Sequence, residues 1–401
     1  MGGGVAARAV VSAFVAGLCG ACGGPTGSPA ASTDPAPAGA GSGAPSTTPP
    51  AGPWDPASLD PRIAVSLTGA SSCARVGPQD PAPQPVRIVR PSTTSCGSSG
   101  ATSDGLGDVA VACLDGRGDR GWNEVFSGDG SQHTTLAAWA LAMPTGAGFA
   151  AAYRPFGART ARQGFVWFAG GAWQTSSDPD TSAPMRTVSA RPGTGILEVA
   201  WSDPSGAGAT TRWVDARGNP LRPLRVWPDA IGLTVAGIDE MGRALVTYGT
   251  STAAGTFARW LDPDDSAGPE LQVPGADGWE PLAGGGLVHA RASVLRGGAT
   301  ALEPAAPWLA SRAEPMAIVN GGRAYAFVSD ATGTSGCIAT VSLVDTDGTS
   351  CGTVTLTAPQ GSCPQRTLVG ADGTLIQLVR TDLADPQLPA AIWRWWPGYL
   401  R

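Results

Sequence analysis

Residues 195–226 recur 47 positions downstream, at 242–273, without a gap. Gly195, Val199, Gly208, Arg212, Trp213, Asp215, Leu224 and Val226 meet Gly242, Val246, Gly255, Arg259, Trp260, Asp262, Leu271 and Val273. Trp201 meets Tyr248, and Val214 meets Leu261. Each copy holds three short apolar runs separated by turn residues, and a period of this length is what a propeller blade of four strands needs. The expected fold class is therefore all-β, a single β-propeller.

The remainder of the chain supports that expectation. Ile63, Val65 and Leu67 alternate with Ala64 and Ser66, the two-residue period of a strand. Val86 to Arg90 alternates again, and 106–113 and 121–126 read as a hairpin across Asp115-Gly-Arg-Gly118. Residues 136–143 read as one further strand, although Leu136, Trp139, Ala140 and Met143 would also share a helix face. Strands follow at 149–153, 164–168 and 172–174, and the two copies open on inner strands at 185–190 and 233–237. A degenerate copy comes later. Gly322-Arg-Ala324 repeats Gly242-Arg-Ala244, and Leu343, Val344, Asp345, Val354 and Leu356 match Trp260, Leu261, Asp262, Leu271 and Val273. One shortened blade is expected between them, in 279–310. The C-terminal region offers only three strands, at 366–369, 374–380 and 390–396, so a strand from the N-terminal end should complete the last blade. Ile63 to Leu67 is the expected closing strand, and the count is about seven four-stranded blades, or six.

Composition excludes several chemistries. All 26 basic residues are arginine, so there is no Schiff-base lysine, no P-loop lysine and no lysine general base. His133 and His289 are the only histidines, too few for a multi-histidine metal centre. A net charge of −6 argues against a nucleic-acid partner.

The N-terminus reads as an export signal over residues 1–21. Arg8 precedes the apolar stretch Ala9 to Leu18, which is too short to span a bilayer. Cys22 follows Gly20 and Ala21, where a lipid-anchor cysteine would stand, although Cys19 occupies the place usually held by leucine. Residues 22–61 then form a Pro/Gly/Ala/Ser/Thr tether, which lacks the apolar surface to offset its ordering entropy and would reach roughly 30 Å as a flexible coil. The propeller domain is expected over 62–401. With Cys22 assigned to lipid, Cys73, Cys96, Cys113, Cys337, Cys351 and Cys363 remain, an even set with open pairing that suits disulfides in an oxidising compartment.

Candidate sites each have a bland alternative. Asp345-Thr-Asp-Gly348 glances towards a calcium loop, but the third acidic position is Thr349, and a type I turn needs the same Asp and Gly. Asp215 and Asp262 recur at the same place in the repeat and read the same way. Trp393, Trp395 and Trp396 could form a sugar platform, yet the repeating Trp213 and Trp260 point to packing between sheets. Arg212 and Arg259 are expected to pair between blades. Arg154, Arg159 and Arg162 on one loop, with Asp178 and Asp180 on the next, could form an anion-binding mouth or simply be solvated. No catalytic residues, metal ligands or cofactor site are predicted.

With the repeat, the aromatic strand ends and Cys22 in view, the chain resembles bacterial secreted lipoproteins with propeller-type repeats. It lacks the Gly-Gly doublet of kelch blades and the Gly-His and Trp-Asp signature of Trp-Asp repeats, so no site residues carry over. The resemblance implies an extracytoplasmic module anchored through lipid to the outer membrane, its periplasmic side or the cell surface, or otherwise secreted. Its expected partner is a protein or glycan. The rival expectation is a secreted propeller hydrolase or lyase acting on polysaccharide or a small ester.

Overall fold

In the computed structural model the described residues run from 61 to 400, apart from short internal stretches of which 154–161, 178–185 and 381–389 are the longest. Residues 1–60, with the expected signal, Cys22 and the tether up to 60, lie outside them. The described chain is almost wholly β-strand, with one four-residue helix, Pro307–Ala310. No helix among the described residues is long and apolar enough to cross a membrane.

The strands form six antiparallel sheets that meet in chain order to make a β-propeller. Sheet I holds Ser98–Ser103, Val109–Leu114, Gly121–Phe126 and His133–Leu136, and sheet II holds Ala140–Pro144, Gly148–Tyr153, Arg162–Ala169 and Ala172–Ser177. The expected single strand at 136–143 is thus two strands in different sheets. Sheet IV is the shortened blade, with strands Trp279–Pro281, Leu287–His289, Ser293–Leu295 and Glu303–Pro304. It sits where the sequence placed it.

Sheet III corrects the blade count. It contains both copies of the repeat as seven continuous strands from Arg186–Ala190 to Leu271–Val273. The strand Arg225–Ile238 pairs with Ala207–Val214 through its first half and with Ala244–Thr250 through its second. Five separate blades of four or five strands therefore stand beside this fused pair, not seven separate ones. Trp227-Pro-Asp229 looks like a turn, but the chain runs through it, with Gly232 at φ +63° and register shifts taking up the bend.

The ring closes at sheets V and VI, and here the closing strand differs from expectation. Sheet V is Met316–Val319, Ala324–Gly333, Gly336–Asp345 and Ser350–Pro359, and Arg62–Leu67 adds to it as a fifth, outer strand with Ile63 opposite Leu356. Sheet VI is Pro364–Val369, Leu375–Arg380 and Ala390–Trp396, completed by Val86–Pro91 with Ile88 opposite Trp393. An N-terminal strand does close the last blade, but it is Val86–Pro91. The reason lies in burial. Val86 and Ile88 pack on the cluster of Trp393, Trp395, Ile376 and Phe126, whereas Val65 and Leu67 remain about half exposed.

The core consists of the seams between sheets. Trp213 and Trp260, at matching repeat positions, are both buried, and truncating either to alanine should cost ~3–5 kcal/mol. Trp393, Trp395 and Trp396 are equally buried, so they are core and present no sugar platform. Arg212 pairs at 2.9 Å with Glu198, its cross-strand partner, and Arg259 reaches Glu270 at 3.5 Å. Both pairs lie within a single repeat copy, not between blades. Neighbouring strands offer these side chains a carboxylate directly across the register, nearer than the next copy.

Candidate functional site

The aspartates of the repeat are turn residues. Asp215 Oδ1 accepts the backbone N–H groups of Arg217 and Asn219, each at 2.8 Å, and Gly218 N–H donates to the Asp215 carbonyl. Asp345 is built alike. Gly348 N–H returns to its carbonyl at 3.0 Å, and its Oδ1 accepts Thr346 N–H at 2.6 Å. Asp347 accepts Thr349 N–H, which holds its carboxyl below the usual range. Trp308 packs over this turn so closely that a Cβ at Gly348, φ +94°, would sit 2.5 Å from the ring. These carboxylates are engaged with their own backbone, as a type I turn requires.

Cys73 and Cys351 form one disulfide and Cys337 and Cys363 another. Cys96 lies outside the described residues, and nothing is described of the Cys113 side chain. Asp345 stands close to the Cys73–Cys351 sulfurs, but these are bonded to each other, so neither is the thiolate that metal ligation needs. Among the described residues no other group of three such ligands converges. The loops carrying Arg154, Arg159, Asp178 and Asp180 fall outside the described residues, as does the side chain of Arg162. His133 is exposed and stacked on Phe126, and His289 packs on Trp279 with ring centroids 5.0 Å apart.

Among the described residues the Asp108 carboxyl is the one carboxyl raised, because burial disfavours its charge. It accepts Gly128 N–H at 2.8 Å, beside the Trp395 indole, which donates to the Gly128 carbonyl at 2.9 Å. On the same seam Ser103 donates to Asp372. This group ties sheet VI to sheet I, and its hydrogen bonds are those of a joint between blades.

A cleft of about 420 Å³ does open on the seam between sheets IV and V. Its first wall is the segment after Arg62–Leu67, represented by Ser72 and Val76, which the Cys73–Cys351 bridge pins to the strand Ser350–Pro359. Ala283 and Gly284 come from the first turn of sheet IV, where Ala283 N–H donates to the buried Tyr325 hydroxyl of sheet V. Gly322 and Arg323 come from the first turn of sheet V, and Asp345 and Thr346 from its third. Glu240 backs the two glycines. It accepts Gly284 N–H at 2.9 Å, and a Cβ at Gly322, φ +87°, would strike its carboxylate. The cleft thus brings together Asp345, which the sequence singled out for another reason, with Arg323, Ser72 and Thr346, which it did not. The available signal was the Gly-Arg-Ala repeat at 242–244 and 322–324.

No protein family matches this chain, and no curated protein matches it. Solved structures do. A prolyl endopeptidase gives a TM-score of 0.44 at 13% identity, over 70% of this chain and 46% of that one. The acylaminoacyl peptidase of Pyrococcus horikoshii gives 0.36 at 10% identity, over 71% and 49%. A subtype N10 neuraminidase-like protein gives 0.31 at 10% identity, over 83% of this chain and 99% of that one. The chain spans about half the length of the peptidases it matches. At these scores the likeness adds nothing to what the sheets themselves show, and no activity is carried across from it.

Proposed function

We propose that this protein is a non-enzymatic binding module, exported and tethered to a membrane through Cys22, with a protein or glycan-derived partner. The observation that carries the binding role is the rim cleft. It is walled by turns from two adjacent blades and by a disulfide-anchored segment, and its shape is held by that disulfide and by the hydrogen bond from Ala283 to Tyr325. Its charged side chains are not arranged as an acid–base pair: Asp345 accepts hydrogen bonds from its own turn, and Arg323 carries a guanidinium, which offers hydrogen-bond donors and no acceptor. The two disulfides support an oxidising compartment. The apolar stretch before Cys22 supports export, and the length of the tether supports a domain held off a surface.

Two measurements test this reading. Labelled fatty acid should be incorporated into the wild-type protein and not into Cys22→Ser. The purified protein should turn over no polysaccharide or small ester. Turnover that disappears on substitution in the cleft would replace the module with an enzyme.

A further inference from the structure

The repeat supplies an internal comparison for the cleft. In the second copy, Gly242-Arg-Ala244 closes a hairpin whose first turn residue is Asp239. Arg243 is fully committed there. Its Nε and Nη2 donate to Asp239 Oδ2 at 2.9 and 2.6 Å, and its guanidinium lies 5.5 Å from the centre of the Trp260 ring. In sheet V the same tripeptide, Gly322-Arg-Ala324, closes a hairpin one residue shorter, in which Val319 pairs with Ala324. Val319 and Asn320 stand where the carboxylate would be, so the turn offers Arg323 no internal acid. Arg323 is exposed, and among the described residues no hydrogen bond or ion pair engages its guanidinium. It lines the cleft.

We infer that Arg323 receives a carboxylate from a ligand in place of the internal one that Arg243 has. The ligand is a small zwitterion with one carboxylate and one ammonium, either a free amino acid or a dipeptide. A guanidinium presents a planar fork that matches a carboxylate. The opposite sign follows from the third turn of the same sheet: no described residue donates to the second oxygen of Asp345, and Glu240 adds another carboxylate behind the glycines. A dianion meets like charge there, and a simple cation meets Arg323. A molecule carrying one carboxylate and one ammonium satisfies both sides, and the Ser72 and Thr346 hydroxyls supply further hydrogen bonds. The size of the cleft falls within the ~300–1,000 Å³ usual for small-molecule sites.

This inference rests on the cleft being a binding site, and its test is separate from that of tethering. Calorimetry on the purified full chain with L-alanine, L-alanyl-L-alanine, acetate and methylammonium should show binding of one of the first two and of neither single-charge probe. Which one binds reports the charge separation, and so distinguishes amino acid from dipeptide. Arg323→Gln and Asp345→Asn should each weaken that binding at least tenfold, and Arg323→Gln should leave the melting temperature unchanged because the side chain has no internal partner. Failure of all four probes to bind, binding of acetate as tight as that of L-alanine, or wild-type affinity in Arg323→Gln would overturn the inference. If lipid is incorporated and no substrate is turned over while every probe fails, the ligand class is wrong and the module reading stands.

Discussion

Asp239 and Arg243 form the joint between sheets III and IV. The fully buried Asp239 carboxylate accepts Met241 and Arg243 N–H on Oδ1, and on Oδ2 it takes the Arg243 guanidinium together with Gly286 N–H of the next sheet. Gly297 leaves the space that the guanidinium occupies, since a Cβ there would collide with it. Asp239→Asn should destabilise the protein by about 2–3 kcal/mol, because Arg243, itself about a quarter exposed, loses its counter-charge in a mostly desolvated place. Asp239→Asn with Arg243→Met should recover part of that loss. Urea midpoints for the two single variants and the double variant check it, and a double variant as unstable as the sum of the singles would show that the two residues act independently.

Ring closure is tested by charge on the closing strand. Ile88→Asp places a carboxylate against the Trp393 and Trp395 cluster and should cost ~3 kcal/mol or more, with exposure of a sheet edge and light scattering on heating. Val65→Asp falls on a half-exposed outer strand and should stay within about 1 kcal/mol of wild type. If Val65→Asp were the more damaging of the two, Arg62–Leu67 would be the strand that closes the ring.

The two disulfides should differ in effect. Cys73–Cys351 closes a loop of 278 residues and Cys337–Cys363 one of 26. Paired Cys→Ser substitution should cost ~2–5 kcal/mol in each case, and more for the longer loop, whose unfolded ensemble it constrains more. Only the first pair should also alter the rim cleft, because Ser72 and Val76 are held by it. Denaturant midpoints together with protease accessibility of the segment around residue 76 would show both effects.

Acid should weaken the fold through its turn carboxylates. Hydrogen bonds from the Ser127 hydroxyl and from Ser131 hold the Asp129 carboxyl down at about 2. A carboxyl lowered in the folded state stabilises above its unfolded value, near 4, and that contribution is lost as pH falls from there through about 2. Asp215, Asp264 and Asp347 are lowered too and act with the same sign, whereas Asp108, raised by burial, acts with the opposite one. Chemical denaturation across pH 2–7 should show stability falling below pH 4, with a shallower fall in Asp129→Asn. An unchanged slope in that variant would remove Asp129 from the account.

The all-β class, the period of the blade, the shortened blade at 279–310 and the turn role of Asp215 and Asp345 were legible from residue order alone. Each depends on local rules: alternation of side chains along a strand, and the Asp and Gly preferences of a tight turn. Three things were not legible. Arg225–Ile238 serves two repeat copies at once, Val86–Pro91 and not Arg62–Leu67 completes the last blade, and Arg212 and Arg259 pair within their own copies. A strand edge pairs with whichever neighbour closure of the ring brings to it, and a long arginine takes the nearest carboxylate across the register. Those choices are made between residues as far apart as Ile88 and Trp393, and no window of sequence contains them. The cleft belongs to the same class. Arg243 and Arg323 share the same tripeptide, and the residue four places upstream, Asp239 in one and Val319 in the other, decides which arginine has an internal acid; only the tertiary structure brings Ser72, Gly284 and Asp345 to the same cleft as Arg323.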